Sequence, residues 1–341
     1  MGDFVNVVDF SRFSIYRVPS FCNFTMYLLE LIPVGGNFSD KAVFITGCDT
    51  GFGREIAKKC AKNGFLVFAG CLTTKAGETL KSEAENSERL HIVPLDVSKD
   101  ESVEKAAEYV KNNLGSAKLW GIVNNAGIFS CYGPDDWCKL ADYQHSLEIN
   151  TLGVIRVTHA FKKLIKQSSG RIVTTTSVNG RLATPAAGPY VVAKFGTSAY
   201  MDCIRQELYN FNVKVSVVEP GIFRTPLLDK EAMLKRVDHV WTNIDEDTKV
   251  EYGEKFKNYF GTMWNKTFHK LAADKIHYVV DNYYHALTAK FPRHRYYCGW
   301  DAIFVYVPLS LLPTWWSDFF IRVLGRQEVV PACMENNKKH L

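Results

Sequence analysis

Three features of the sequence predict an α/β fold built on a doubly wound parallel sheet. From Lys41 onward, short β-branched apolar runs alternate with helical stretches. The runs are almost continuously apolar, which marks strands covered on both faces. A glycine-rich turn joins the first run to a helix, the place where such sheets bind phosphate groups. The chain has 341 residues, 47% hydrophobic and 23% charged. That composition supplies a large core and excludes wholesale disorder.

The elements follow in order. Residues 1–40 show no αβ rhythm and read as an N-terminal extension. Its uncharged stretch, residues 18–29, is ended by Glu30 and Pro33 and is too short to span a bilayer. Strands are expected at 42–46, 65–69, 91–95, 119–124, 171–176 and 213–218. Helices are expected at 53–63, 101–113, 141–167 and 190–210. The second of these opens on a capping-box pattern from Ser98 to Glu101. Right-handed crossovers wind these units on both faces of one sheet. A single catalytic domain is expected over 41–290. Within it, the stretch 226–265 is helical by pattern and followed by more helix. Trp241, Tyr252, Phe256, Tyr259, Phe260 and Trp264 make it rich in aromatics. It reads as a substrate lid or as a packing subdomain, and the two are compatible. Residues 291–341 form a C-terminal extension. Its uncharged run, 302–317, contains Pro308 and Pro313, which should break any single helix. Tyr306, Trp315 and Trp316 are types that favour a membrane-water boundary. The run reads either as a segment buried on the core or as a monotopic membrane contact.

Charge and cysteine usage exclude other classes. Lys plus Arg is 41 and Asp plus Glu is 36, a net charge of +5 spread along the chain. No basic block has the length of a nucleic-acid site, and only Lys338 to His340 is locally basic. Nine cysteines occur without Cys-x-x-Cys or zinc-finger spacing, so no metal site is expected and free thiols in a reducing compartment are. Sequons at Asn23, Asn37 and Asn265 are of a kind that arises by chance.

The chemistry sits at strand ends. Residues 46–53 read TGCDTGFG. Gly47, Gly51 and Gly53 permit a tight turn and remove the Cβ atoms that would block a diphosphate. Asp49 and Phe52 lie within this loop, and the helix behind it aims free N–H groups at the diphosphate. Cys71 closes the second strand. Asp96 and Val97 close the third, where a carboxylate can accept from an adenine amino group. Asn124, Ala126 and Gly127 close the fourth and let the backbone approach a ribose. Pro220 and Gly221 close the sixth, with Thr225 within reach of a nicotinamide amide. Ser177 ends the fifth strand. Tyr190 and Lys194 are four apart on the next helix and share a face. An ordinary tyrosine is a poor base, but a lysine cation and a positive nicotinamide ring favour its phenolate. Tyr190 is then the expected general acid/base, with Ser177 holding the substrate oxygen. Asn150 lies on the long helix before it, placed to hold a relay water near Lys194. Both Tyr190 and Lys194 also fall within reach of the cofactor.

These motifs, in this order and spacing, resemble the short-chain dehydrogenase/reductase family from about Lys41 to Lys290. Residues 119–128 (LWGIVNNAGI), 217–224 (VVEPGIFR), 298–302 (CGWDA) and 307–313 (VPLSLLP) are similar to one branch. That branch holds retinol dehydrogenases, 17β/3α-hydroxysteroid dehydrogenases and 3-hydroxybutyrate dehydrogenase. The resemblance implies a Rossmann-type domain and catalytic Asn150, Ser177, Tyr190 and Lys194. It also implies a homodimer at an endoplasmic-reticulum membrane, with cytoplasmic or mitochondrial placement as alternatives. Gly70, Cys71 and Leu72 offer neither an acid for ribose hydroxyls nor an Arg for a 2′-phosphate. Asp49 would repel that phosphate and Lys75 would attract it. NAD is the expected cofactor, with NADP as the alternative. The expected substrate is a hydrophobic lipid alcohol or ketone, a steroid or retinoid. A small hydroxy acid bound by Arg181, Arg224 or Lys230, and a non-catalytic NAD-binding scaffold, are the competing readings.

Overall fold

The computed structural model describes residues 32–35, 37–263, 272–325 and 329–335. The uncharged run at 18–29, Asn23, Trp264, Asn265 and the basic tail lie outside the described residues. Seven strands form one sheet: β1 (Lys41–Thr46), β2 (Leu66–Cys71), β3 (Leu90–Pro94), β4 (Lys118–Asn124), β5 (Arg171–Thr175), β6 (Lys214–Pro220) and β7 (Arg295–Cys298). Their order is β3-β2-β1-β4-β5-β6-β7, and every neighbouring pair is parallel. Six of the seven lie within two residues of the expected runs. Order reverses between β1 and β4, so their carboxyl ends open a crevice there.

The helices cover both faces. In chain order they begin with α1 (Gly51–Lys62), α2 (Thr74–Glu83), α3 (Asp100–Asn113), α4 (Leu140–Leu147), α5 (Gly153–Ser168) and α6 (Gly188–Glu207). They continue with α7 (Lys230–Asn243), α8 (Glu246–Tyr252), α9 (Glu254–Met263) and α10 (His277–Thr288). After β7 come α11 (Val307–Ser310), α12 (Thr314–Leu324) and α13 (Ala332–Glu335). Because side chains alternate along a strand, β1 feeds two cores. Val43 and Ile45 pack with Ile56 of α1 and Tyr283 of α10. Ala42 and Phe44 pack with Phe161 of α5 and Met201 of α6 on the other face. A third cluster gathers Trp137 with Trp241, Phe256 and Phe260 below α7–α9.

The structure revises several expectations. The capping box at Ser98 does not form. α3 starts at Asp100, and Ser98 donates its hydroxyl to Asp96 at 2.7 Å instead. The single helix expected over 141–167 is split by a π-helical turn, Glu148–Leu152, which widens the helix by one residue where Asn150 sits. α2 and β7 were not expected. β7 is only four residues long and reads RYYC, a pattern without an apolar run. It pairs with β6, so the domain boundary at 290 falls short and the sheet continues into the C-terminal extension. The N-terminal extension also joins this unit, through Val34 N–H to Thr288 O at 2.7 Å and the stacking of Phe38 on Phe65. Pro308 does not break its helix. A second π turn, Ala302–Tyr306, precedes it, and only Pro313 separates α11 from α12.

Candidate active site

At the carboxyl ends of the strands lies a cleft of about 1020 Å³. One end is formed by the turn between β1 and α1. Gly47 and Gly51 have φ of +69° and +60°, which a side chain rarely adopts. A Cβ on Gly53 would lie 2.3 Å from Gly47 O, so this glycine lets the helix seat directly against the loop. Thr50 makes no side-chain cap, which leaves the first N–H groups of α1 aimed at the cleft for a diphosphate. Asp49 accepts from Leu72 N–H at 2.9 Å and from Thr73 N–H at 3.0 Å, fixing the end of β2. Burial opposes ionisation of Asp96, but the Ser98 hydroxyl and N–H outweigh it and hold this carboxyl below its ordinary value. These donors and this cradle fit a dinucleotide.

Ser177, Tyr190, Lys194 and Asn150 all line the same cleft. Lys194 Nζ lies 5.5 Å from the centre of the Tyr190 ring and donates to Thr175 O at 3.1 Å. Phe129 packs on Tyr190, ring centres 4.7 Å apart. Burial pushes the Tyr190 phenol up to about 12, and its hydrogen bond with Ser177 only partly opposes this. Burial likewise lowers the Lys194 ammonium to about 8. The lowering of Tyr190 expected from its lysine neighbour is outweighed here, because desolvation is the larger effect. Asn150 is held by the π turn. Its Oδ1 accepts from Ile128 N–H at 2.9 Å, and its amide donates to Ile128 O and Ser146 O.

The family model described as short chain dehydrogenase matches residues 41–234. The chain belongs to that family. It is a short-chain dehydrogenase, an oxidoreductase that works with a nicotinamide dinucleotide. It is 43% identical to a 3beta-hydroxysteroid dehydrogenase of Caenorhabditis elegans, over 95% of this chain and 87% of that one. It is 41% identical to the 17-beta-hydroxysteroid dehydrogenase type 6 of Bos taurus and to retinol dehydrogenase 7 of Rattus norvegicus, each over 84% of this chain and 90% of the relative. A short chain dehydrogenase/reductase from Burkholderia phymatum, solved with NAD, has the same fold. Its TM-score is 0.65 at 20% identity, covering 87% of this chain and 99% of that one.

Most expected contacts of the dehydrogenase line the cleft: Gly47, Asp49, Gly51, Phe52, Asp96, Val97, Ala126, Gly127, Pro220, Gly221 and Thr225. Gly53, Cys71 and Asn124 do not. Gly53 packs under the loop. Cys71 points into the core beside α1. Asn124 is buried and donates to Thr158 and Thr174. The next residue, Asn125, lines the cleft instead. It donates to Thr46 O and Gly47 O and accepts from Tyr283 of α10 at 3.1 Å, and Tyr283 also meets Thr175. Asp301 was likewise missed. It is 5% exposed, lines the cleft, and accepts from Ile222 N–H at 2.7 Å. Its carboxylate lies so close to Gly221 that a Cβ there would meet it at 2.2 Å. Burial raises the pKa of this acid. Of the aromatics expected in a lid, Phe260 lines the cleft, while Trp241 and Phe256 pack around Trp137. The stretch is thus both a wall and a packing unit. Arg181 is committed to Glu219 at 2.9 Å, Arg224 pairs with Asp274 at 2.8 Å, and Lys230 is exposed. None of the three lines the cleft, where Lys194 is the one cation among the described residues. No group of three potential metal ligands occurs among the described residues.

Proposed function

We propose that this dehydrogenase interconverts the hydroxyl and carbonyl of a hydrophobic lipid, a steroid or retinoid, with NAD as its preferred cofactor. One observation carries the reading. The substrate half of the cleft, next to Tyr190, is walled by Phe129, Tyr132, Leu182, Leu228, Phe260 and Leu309, with no cation placed for a carboxylate. That argues against a small hydroxy acid. The hydroxysteroid and retinol dehydrogenases among its relatives support the same class. Intact Tyr190 and Lys194 argue against a non-catalytic scaffold.

When bound, the cofactor supplies hydride transfer at the nicotinamide ring. Tyr190 keeps its proton at neutral pH and is ready to give it to a carbonyl oxygen. In the oxidative direction it takes the alcohol proton, helped by the Lys194 cation behind it. Ser177 holds the reacting oxygen, and Phe129 keeps water from the Tyr190 ring. NAD is favoured because the end of β2 presents the Asp49 carboxylate. The nearby Arg54 is spent on Glu83 at 2.8 Å, and Lys75 does not line the cleft. Better turnover with NADP would overturn that preference.

A homodimer through α5 and α6 is supported by Leu152, just before α5, and by Val192 and Phe195 of α6, all exposed. Sedimentation of a Phe195→Asp variant as a monomer is the expected result. Contact with a membrane, that of the endoplasmic reticulum, is supported by the aromatic surface of α12. No described helix is long and apolar enough to cross a membrane.

The deciding experiment measures NADH formation with a 3α- and a 17β-hydroxysteroid, all-trans retinol and 3-hydroxybutyrate. Tyr190→Phe should lose about 100- to 10,000-fold in turnover while still binding NADH. Turnover of 3-hydroxybutyrate alone, or activity surviving in Tyr190→Phe, would overturn the reading.

A further inference from the structure

Between β4 and α4 the chain loops over the substrate half of the cleft, and two cysteines face each other across the loop. Cys131 and Cys138 have their sulfurs 3.7 Å apart, with no disulfide between them. Sulfur contact at this distance puts a bond of about 2 Å within reach of side-chain rotation and a small movement of the loop. We propose that Cys131 and Cys138 form an oxidative modification site, a dithiol that closes to an intrachain disulfide and pins this loop over the cleft.

The surroundings differentiate the two thiols. Cys131 is 1% exposed. Its sulfur contact with Cys138, in which either atom can donate, outweighs burial and holds its thiol below the ordinary value, with Asp142 opposing and Ser130 and the Arg236 guanidinium adding to the effect. Arg236 is placed there by α7, over the ring of Phe129. Cys138 is half-buried, lies against Pro134 O at 3.5 Å, and is shifted upward by its partner. This is the pairing of an attacking thiolate with a resolving thiol. The other described cysteines lack it. Cys48, Cys60, Cys71 and Cys298 are buried, and Cys203 and Cys333 are exposed.

The oxidant is a small peroxide. The Cys131 thiolate attacks one peroxide oxygen, the O–O bond breaks, and the departing hydroxide takes up a proton to become water. Cys131 is left as a sulfenic acid. The Cys138 sulfur then attacks the Cys131 sulfur, the S–O bond breaks, and the hydroxide leaves as water with the Cys138 proton. Two thiols lose two electrons and one peroxide becomes two waters.

The loop between the sulfurs holds Tyr132 and Trp137. Tyr132 lines the cleft and stacks on Phe260 of α9, ring centres 4.9 Å apart. Trp137 anchors α7–α9 through Trp241 and Phe260. A bond at the neck of this loop fixes the wall that a bulky substrate must displace and leaves the diphosphate turn untouched.

The test treats the reduced full-length protein with hydrogen peroxide, blocks remaining thiols with iodoacetamide and weighs the tryptic peptide spanning 119–139. That peptide contains only these two cysteines. The expected product has lost two hydrogens, carries no alkyl group and regains both alkylation sites after dithiothreitol. It should form before Cys203 or Cys333 is lost, because the neighbouring sulfur captures the first oxidation product. In Cys138→Ser, Cys131 should persist as a sulfenic acid that dimedone captures. In Cys131→Ser, Cys138 should remain alkylated. A peptide that keeps two alkyl groups while Cys203 and Cys333 oxidise would overturn the proposal. So would dimedone capture at Cys138 with Cys131 intact. This readout needs no substrate and stands apart from the lipid-alcohol reading. The pinning rests on that reading: oxidation should raise KM for the bulky alcohol several-fold in the wild type, reversibly, with NADH affinity unchanged. Equal KM in the two forms would overturn the pinning.

Discussion

Lys194 is 4% exposed and carries the charge that the chemistry needs. Folding lowers its pKa from 10.5 to about 8, so between those values the unfolded chain holds a proton that the folded chain has released. Stability contributed by this group therefore rises as pH climbs from about 8 to 10.5. Tyr190 acts in the opposite sense and only at higher pH. Its folded value, about 12, lies above the ordinary 10, so its contribution is complete below pH 10 and is lost beyond it. In urea unfolding the wild type should gain stability relative to Lys194→Met between pH 8 and pH 10; an unchanged difference between the two proteins would refute the assignment. Gly53 makes a second residue-scale prediction. An alanine Cβ there would meet Gly47 O at 2.3 Å and Asn125 Nδ2 at 2.4 Å, so Gly53→Ala should cost about 1–3 kcal/mol and weaken NADH binding. Thermal melts and fluorescence titration check both. At this scale the sequence was informative where spacing is local. Tyr190 and Lys194 are one helical turn apart, and their shared face can be read directly. At strand ends, a shift of one position exchanges core for cleft, so Asn124 and Cys71 lie in the core while Asn125, in the same motif as Asn124, lines the cleft. Tyr283 reaches Asn125 from 158 positions away, and no local pattern carries such a contact.

Among the elements, β7 was the least legible and is held by charge. Glu219 of β6 has a side chain 1% exposed and is met by Arg181 from one side and Arg295 of β7 from the other. Arg295 also pairs with Asp202 of α6. A four-residue strand with this many polar groups has no apolar signature, because its place in the sheet is secured by a buried acid on the neighbouring strand. Removing that acid leaves the largely covered Arg181 without its carboxylate and Arg295 with Asp202 alone. Glu219→Ala should cost about 3–5 kcal/mol in chemical denaturation, and a loss below 1 kcal/mol, roughly the worth of a surface pair, would refute this account. The π turn was equally hidden. Its composition, EINTL, is ordinary helix, and the bonds that Asn150 makes to Ile128 lie outside any local pattern. Strands β1, β2, β4, β5 and β6 were legible because each is largely buried on both faces and so reads as a plain apolar run; β3, at the sheet edge and only partly buried, was legible from its short apolar run alone.

In the whole molecule, the cleft and the apolar surface are continuous. Leu309 and Ile321 line the cleft, while Trp315 is 62% exposed and Trp316, Phe319 and Phe320 stand beside it on the same helix. Ser317, its hydroxyl bonded to Leu309 O at 2.7 Å, ties α12 to the cleft wall. A lipid alcohol dissolved in a bilayer would then meet the enzyme at its mouth. The wild type should co-sediment with phosphatidylcholine vesicles, and Trp315→Ser with Trp316→Ser should reduce this several-fold with turnover of a soluble short alcohol unchanged. Equal sedimentation of the two proteins would exclude α12 as the contact.

The all-parallel order of the sheet also governs how this enzyme comes into being. Every strand pairing spans a crossover, so none can form as a hairpin. The lining of the cleft runs from Gly47 to Gly325, and the bond from Asp301 to Ile222 closes it only when the last part of the chain is present. During synthesis, β6 waits with an unpaired edge until β7 has emerged, an interval in which that edge can recruit other chains. Nascent chains that end before Arg295 should aggregate rather than bind NADH, and acquisition of the cofactor marks the end of assembly rather than an early step in it.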